Sequence, residues 1–160
     1  MASLEGSPAL LVVFVCNHCP FVQHIETELG RFAARHAERG LITVAISSND
    51  VGACPEDDEA HMAEQVARAA WDFPYLFDAD QSVALAYKAA CTPDLFLFDE
   101  NRKLAYRGEF DGSRPESGTP VTGESLLGAL DQVLGGEMVP LPHKRSIGCS
   151  MKWAPGNAPS

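Results

Sequence analysis

Residues 10–48 change their hydrophobic period twice, and this constrains the fold more than any other feature of the chain. "LLVVFV" is short, β-branched and continuously apolar, as a strand covered on both faces must be. From Pro20 the spacing turns helical: Val22, Ile25, Leu29, Phe32 and Ala33, then His36, share one stripe, and Gly40 stands where a C-terminal cap belongs. "LITVAISS" is again a buried strand. A strand, helix and strand of these lengths form a βαβ unit, with two parallel strands in one sheet.

The rest of the chain continues the alternation. "DEAHMAEQVARAAW" reads as a helix with Met62, Val66 and Ala69 on one face and acids at its start. "FPYLFD" reads as a strand and "DQSVALAYKA" as a short helix, with Val83 and Tyr87 one turn apart. "DLFLFD", the turn "ENR" and "KLAYRG" predict an antiparallel hairpin, followed by a loop, "FDGSRPESGTPV". Thr122 is the expected cap of a last helix carrying Leu126, Leu127, Leu130 and Val133, which stops at Gly135-Gly136. The order predicts an α/β fold, a three-layer α/β/α sandwich with a mixed central sheet. The 160 residues suit one domain spanning 1–160, with an irregular Pro- and Gly-rich tail from about residue 137.

Charge narrows the partners. A formal net charge of −10 repels phosphate backbones and anionic lipid, so neither nucleic acid nor membrane is an expected partner. No apolar run approaches the roughly 18 residues that span a bilayer. The opening "MASLEGSPALLVVFV" has no basic n-region, so the expectation is a protein without a signal peptide, in the cytoplasm.

There are five cysteines, Cys16, Cys19, Cys54, Cys91 and Cys149, and the odd count with a single C-x-x-C does not suit a disulfide-stapled scaffold. The pair Cys16/Cys19 sits where the first strand meets the first helix, at the carboxyl end of a strand, where chemistry gathers in open α/β sheets. A helix N-terminus offers unpaired N–H groups and a partial positive charge, both of which favour a thiolate. His18, between the cysteines, can add charge or a hydrogen bond, and Pro20 fits the first helical turn. Two other readings stand beside redox chemistry: half of a zinc site, and a pair of inert core cysteines. Zinc needs four ligands, and there is neither a second C-x-x-C nor a close histidine pair. His18, His24, His36, His61 and His143 are scattered, and no metal is expected.

"VVFVCNHCPFV", "VAISSNDV", "FPYLFD", "CTPDLFLFD", "YRGEFDGSRP" and "IGCSMKW" resemble the thioredoxin-like superfamily, in its peroxiredoxin-like branch of alkyl hydroperoxide reductase/thiol-specific antioxidant and thiol-disulfide isomerase-like proteins. The resemblance covers nearly the whole chain. It implies a thioredoxin fold and a thiol-disulfide oxidoreductase that needs no cofactor. Cys16 corresponds to the exposed, attacking cysteine and Cys19 to the resolving one. Thr92-Pro93 corresponds to the cis-proline loop, with Thr92 offering backbone hydrogen bonds to an extended substrate segment. The implied partners are a disulfide-containing protein or a small thiol or peroxide substrate, and a thiol electron donor.

Three departures from the pattern stand out. The strand before the cysteines, "ALLVVFV", lacks the buried acid of thioredoxins, leaving His18, solvent or another acid to accept a proton. The peroxiredoxin signature P-x-x-x-[ST]-x-x-C has Val12 and Cys16 in place of its proline and hydroxyl, which weighs against the alternative of a thiol-dependent peroxidase. The arm before the first strand is shorter than in relatives. The histidine and the missing acid together predict a Cys16 pKa below the usual value of about 8.5. They also predict a reduction potential above thioredoxin's, about −270 mV. Cys91 and Cys149 are possible auxiliary thiols: Cys91 adjoins Thr92-Pro93, where filling space beside the motif is the favoured reading, and Cys149 takes part only if the tail folds back over the site. A non-catalytic module that retains the fold is the third reading.

Overall fold

A computed structural model of the chain describes residues 6–160. The first five residues, part of the opening stretch read above for a leader and of the 1–160 span, lie outside the described residues.

The strands are β1 (Ala9–Phe14), β2 (Leu41–Ser47), β3 (Tyr75–Phe77), β4 (Cys91–Thr92), β5 (Asp94–Phe98), β6 (Leu104–Gly108) and β7 (Cys149–Ser150). The helices are α1 (Pro20–Ala37), α2 (Glu59–Ala69), α3 (Ser82–Tyr87) and α4 (Glu124–Leu134), with a 3-10 turn at Pro55–Asp57. Five strands form one sheet in the order β3-β2-β1-β5-β6. β1 runs parallel to β2, and β2 to β3, while β5 and β6 pair antiparallel, so the sheet is mixed.

Alternation along β1 divides the core in two. Leu11, Val13 and Val15 face a layer built from α1, α2 and α4, with Val22, Ile25, Leu29 and Phe32 of α1 and Leu126 and Leu130 of α4 packed against them. Val12 and Phe14 face the opposite way, against Ala84 of α3, Ala89, Phe96 and Met151. Phe14, Tyr87 and Phe96 meet edge to face, with ring centroids 5.2–5.8 Å apart. The tail therefore completes the second layer: Met151 is buried in it and Trp153 packs on its rim.

Two local expectations are corrected. The cap residue of α4 is Gly123, at φ +72°, and Thr122 instead accepts a bond from the Glu124 N–H at 3.3 Å. A side chain on Gly123 would strike the Phe110 ring, so close packing as well as φ selects glycine. The tail, expected to be irregular from residue 137, contains β7, which pairs antiparallel with β4. Among the described residues no helix is long and apolar enough to cross a membrane.

Candidate active site

Cys16 follows β1, and Cys19 is the N-cap of α1 with Pro20 in the first turn. Both cysteines are fully buried. The Thr92-Pro93 peptide is cis. Thr92 touches both sulfurs: its Oγ1 is 3.4 Å from Cys16 Sγ, and its carbonyl oxygen is 3.3 Å from Cys19 Sγ. The structure thus brings Cys16, Cys19, Thr92 and Pro93 together, but it hides the cysteine expected to be exposed.

The tail packs beside the pair, against β4. In the β4–β7 ladder Cys149 stands opposite Thr92, and Ser150 opposite Cys91. A Cβ at Gly148 would run into the Thr92 carbonyl, so only glycine allows so close an approach. The segment is fastened on both sides of β7. Before it, Ser146 Oγ donates to the Gly108 carbonyl at 2.5 Å and Glu109 N donates to the Lys144 carbonyl at 2.9 Å. After it, Met151 N donates to Ala90 O at 3.0 Å, and Lys152 N to Asn49 Oδ1 at 2.9 Å.

Cys91 takes the other direction. Neighbouring residues of a strand point to opposite faces, and Cys91 Sγ lies 3.6 Å from the Pro93 carbonyl, away from the contacts made by Thr92 Oγ1. Burial, with the Asp94 charge, raises its pKa to about 11.

The buried acid that β1 lacks comes from the 3-10 turn. Asp57 is fully buried, and its Oδ1 accepts from the backbone N–H groups of Asn17 at 2.9 Å and His18 at 3.1 Å. Its Oδ2 lies 2.5 Å from His18 Nδ1 and accepts from Asn49 Nδ2 at 3.1 Å. A buried carboxylate requires such donors, and it recruits the groups between the two cysteines to supply them.

His18 is engaged by Asp57 through both its backbone N–H and its ring. Its ring and the N–H groups of Asn17 and His18 meet the Asp57 carboxylate. The Cys16 pKa is raised, first because its thiol donates to Cys19, then by burial and by the Asp57 charge; Thr92 opposes this. A protonated Cys19 would donate to the Thr92 carbonyl, which resists ionisation. The hydrogen bond from Cys16, followed by contacts from the Cys149 thiol and the N–H groups of Val22 and Cys149, outweighs that and the cost of burial, and lowers the Cys19 pKa to about 4. The two thiols titrate as a pair, Cys19 as the more acidic partner and Cys16 as the less acidic.

A second polar group lies beneath the loop. Glu26, buried on α1, accepts from Arg68 Nε at 2.7 Å and Gln65 Nε2 at 3.1 Å, and Gln65 Nε2 also lies 3.1 Å from the Cys16 carbonyl oxygen. Arg68 Nη2 reaches Asn17 Oδ1 at 2.9 Å. Sequence reasoning missed Glu26, although it stands four residues after Val22, on the apolar stripe. Asp57 had no such signal, being one of four successive acids where a loop leads into a helix.

The expectation of scattered histidines also missed one cluster. Cys16 Sγ, a His18 ring nitrogen and an Asp57 oxygen lie within 4.8 Å of one another and could hold a metal ion together. They supply three of the four ligands of a structural zinc, and two of them already bond each other.

A strand-end thiol pair facing a cis-proline loop in this sheet defines a thioredoxin-like thiol protein. The chain belongs to the AhpC/TSA family, whose model matches residues 1–107, and this supports a thiol-based redox function. It is similar to a hypothetical protein of Sinorhizobium meliloti 1021, with 50% identity and a TM-score of 0.94 over 97% of this chain and 85% of that one. It is also similar to an uncharacterized conserved protein of Geobacillus kaustophilus, with 47% identity and a TM-score of 0.92 over 98% of this chain and 82% of that one. A secreted Mycobacterium tuberculosis disulfide oxidoreductase homologous to E. coli DsbE shares the fold at 19% identity, with a TM-score of 0.61 over 81% of this chain and 84% of that one. No curated protein sequence matches the chain significantly.

Proposed function

We propose that the protein is a thiol-disulfide oxidoreductase whose Cys16/Cys19 pair cycles between dithiol and disulfide. The observation that carries this is the contact of one residue, Thr92, with both sulfurs at the start of α1. In reducing a substrate disulfide, one sulfur of the pair forms a mixed disulfide and expels the first substrate thiolate. The second sulfur then attacks that bond, expels the other substrate thiolate and closes Cys16–Cys19. Two electrons leave the pair, and its remaining proton goes to a departing sulfur. The low pKa of Cys19 keeps a thiolate available at neutral pH. The partners are a disulfide-bearing protein or small molecule and a thiol donor that restores the pair.

The test is turnover of insulin disulfides by the reduced protein, with peptide mapping after one equivalent of diamide. The expected results are a Cys16–Cys19 disulfide and loss of most turnover in Cys16→Ser and Cys19→Ser. Rapid peroxide consumption with a thiol donor, together with negligible insulin reduction, would overturn this reading in favour of a peroxidase.

A further inference from the structure

We infer that Cys149 is a third redox thiol, which exchanges into the Cys16–Cys19 disulfide at Cys19 and carries it to the protein surface. The inference rests on the redox role proposed for the pair and adds the route by which external thiols reach it.

Access poses the problem. Cys16 and Cys19 have no exposed surface, whereas Cys149 is partly exposed. An external thiolate must reach a sulfur to displace it, and both sulfurs of the pair are buried.

Register places Cys149 where it can act. Directly opposed residues of an antiparallel pair carry their side chains on the same face, with Cα atoms about 4.5–5.5 Å apart. Cys149 opposes Thr92, and Thr92 Oγ1 points at Cys16 Sγ. The Cys149 side chain is therefore directed to the thiol side of β4, where it packs against the cluster containing Cys16 and Cys19. The bonds from Lys144 to Lys152 hold it there. Cys91, one residue along β4, points away from the pair.

The exchange balances within the chain. The Cys149 thiolate attacks Cys19 Sγ, the Cys19–Cys149 bond forms, the Cys16–Cys19 bond breaks, and Cys16 leaves as a thiolate that takes the proton lost by Cys149. Glutathione thiolate then attacks the partly exposed Cys149 Sγ, the Cys19–Cys149 bond breaks, and Cys19 leaves as a thiolate. A second glutathione frees Cys149 and leaves as oxidised glutathione. In sum, two glutathiones are oxidised and one protein disulfide is reduced.

The test begins with Cys16→Ser and one equivalent of diamide. Trypsin leaves Cys19 on a fragment ending at Arg31 and Cys149 on one bounded by Arg145 and Lys152. The expected product is these two fragments joined by a disulfide; Cys19 and Cys149 remaining separately alkylable overturns the inference. The second measurement is reduction of the oxidised pair by glutathione in Cys149→Ser. A rate at least fivefold below that of the unaltered protein is expected. A smaller decrease, or an increase as β7 loosens, reduces Cys149 to a cover and overturns the relay. The redox role of the pair is judged separately, by whether the unaltered protein forms Cys16–Cys19 at all.

Discussion

The Asp57 carboxylate holds His18 twice, through the backbone N–H at 3.1 Å and through the ring at 2.5 Å. The residue between the cysteines is thus fixed to a buried charge, and the conformation of the cysteine loop depends on a side chain about forty positions away.

Replacing that carboxylate is expected to be costly. Asp57→Ala strands the N–H groups of Asn17 and His18 in a buried site. At about 1–3 kcal/mol per unsatisfied group, we expect a loss of at least about 2 kcal/mol in urea denaturation. A loss of less than about 0.5 kcal/mol would show that the loop does not depend on Asp57.

Ionisation of the reduced pair gives a second expectation. Thiolate absorbance should rise once well below the usual thiol range, a step missing in Cys19→Ser, while Cys16 stays protonated above that range. A single step near the ordinary value of about 8.5 would refute the assignment.

Stability of the dithiol form follows from the same shifts. Cys19, depressed in the folded state, contributes stability that is complete above its unfolded pKa of about 8.5 and lost as pH falls through about 4. Cys16, raised, favours the unfolded state above about pH 8.5, where the unfolded chain loses that proton and the folded one does not. The unfolding midpoint of reduced protein, compared with Cys19→Ser, should gain from pH 4 toward neutrality; a flat difference would contradict this. The stabilised thiolate also favours the reduced form, so the pair's potential should exceed about −270 mV in a glutathione titration.

Gly148→Ala forces a methyl group against the Thr92 carbonyl and should push β7 off β4. The expected cost is about 1–3 kcal/mol, together with faster alkylation of Cys19 by iodoacetamide. Unchanged alkylation would mean that β7 does not control access.

The pattern of the chain reveals the sheet because each buried element writes its period into its own residues. β1, α1 and β2 stand where the apolar spacing puts them, and so does the β5–β6 hairpin. The cysteine pair was legible for the same reason, since a strand end and a helix start meet there. Glu26 was also readable, as a charge on an apolar stripe. Asp57 and β7 were not. One acid among four neighbours has no mark of its own, and β7 is held chiefly through backbone groups and Asn49, which every residue type or many loops could supply. The reading of Cys16 as low in pKa weighed His18 and the missing acid without the hydrogen bond that Cys16 gives Cys19.

The closure over the thiols is a long-range one: Lys152 reaches Asn49 across 103 positions, and Asn49 in turn bonds Asp57. During synthesis, therefore, Cys16 and Cys19 emerge and their helix can form well before Cys149 exists. The thiols pass through a nascent stage without the strand that later packs beside them, and contacts of such separation are the slow ones to close. Oxidation at that stage can join only Cys16, Cys19 and whatever thiols have already been made, so the order of synthesis favours the C-x-x-C disulfide before the tail can compete for it.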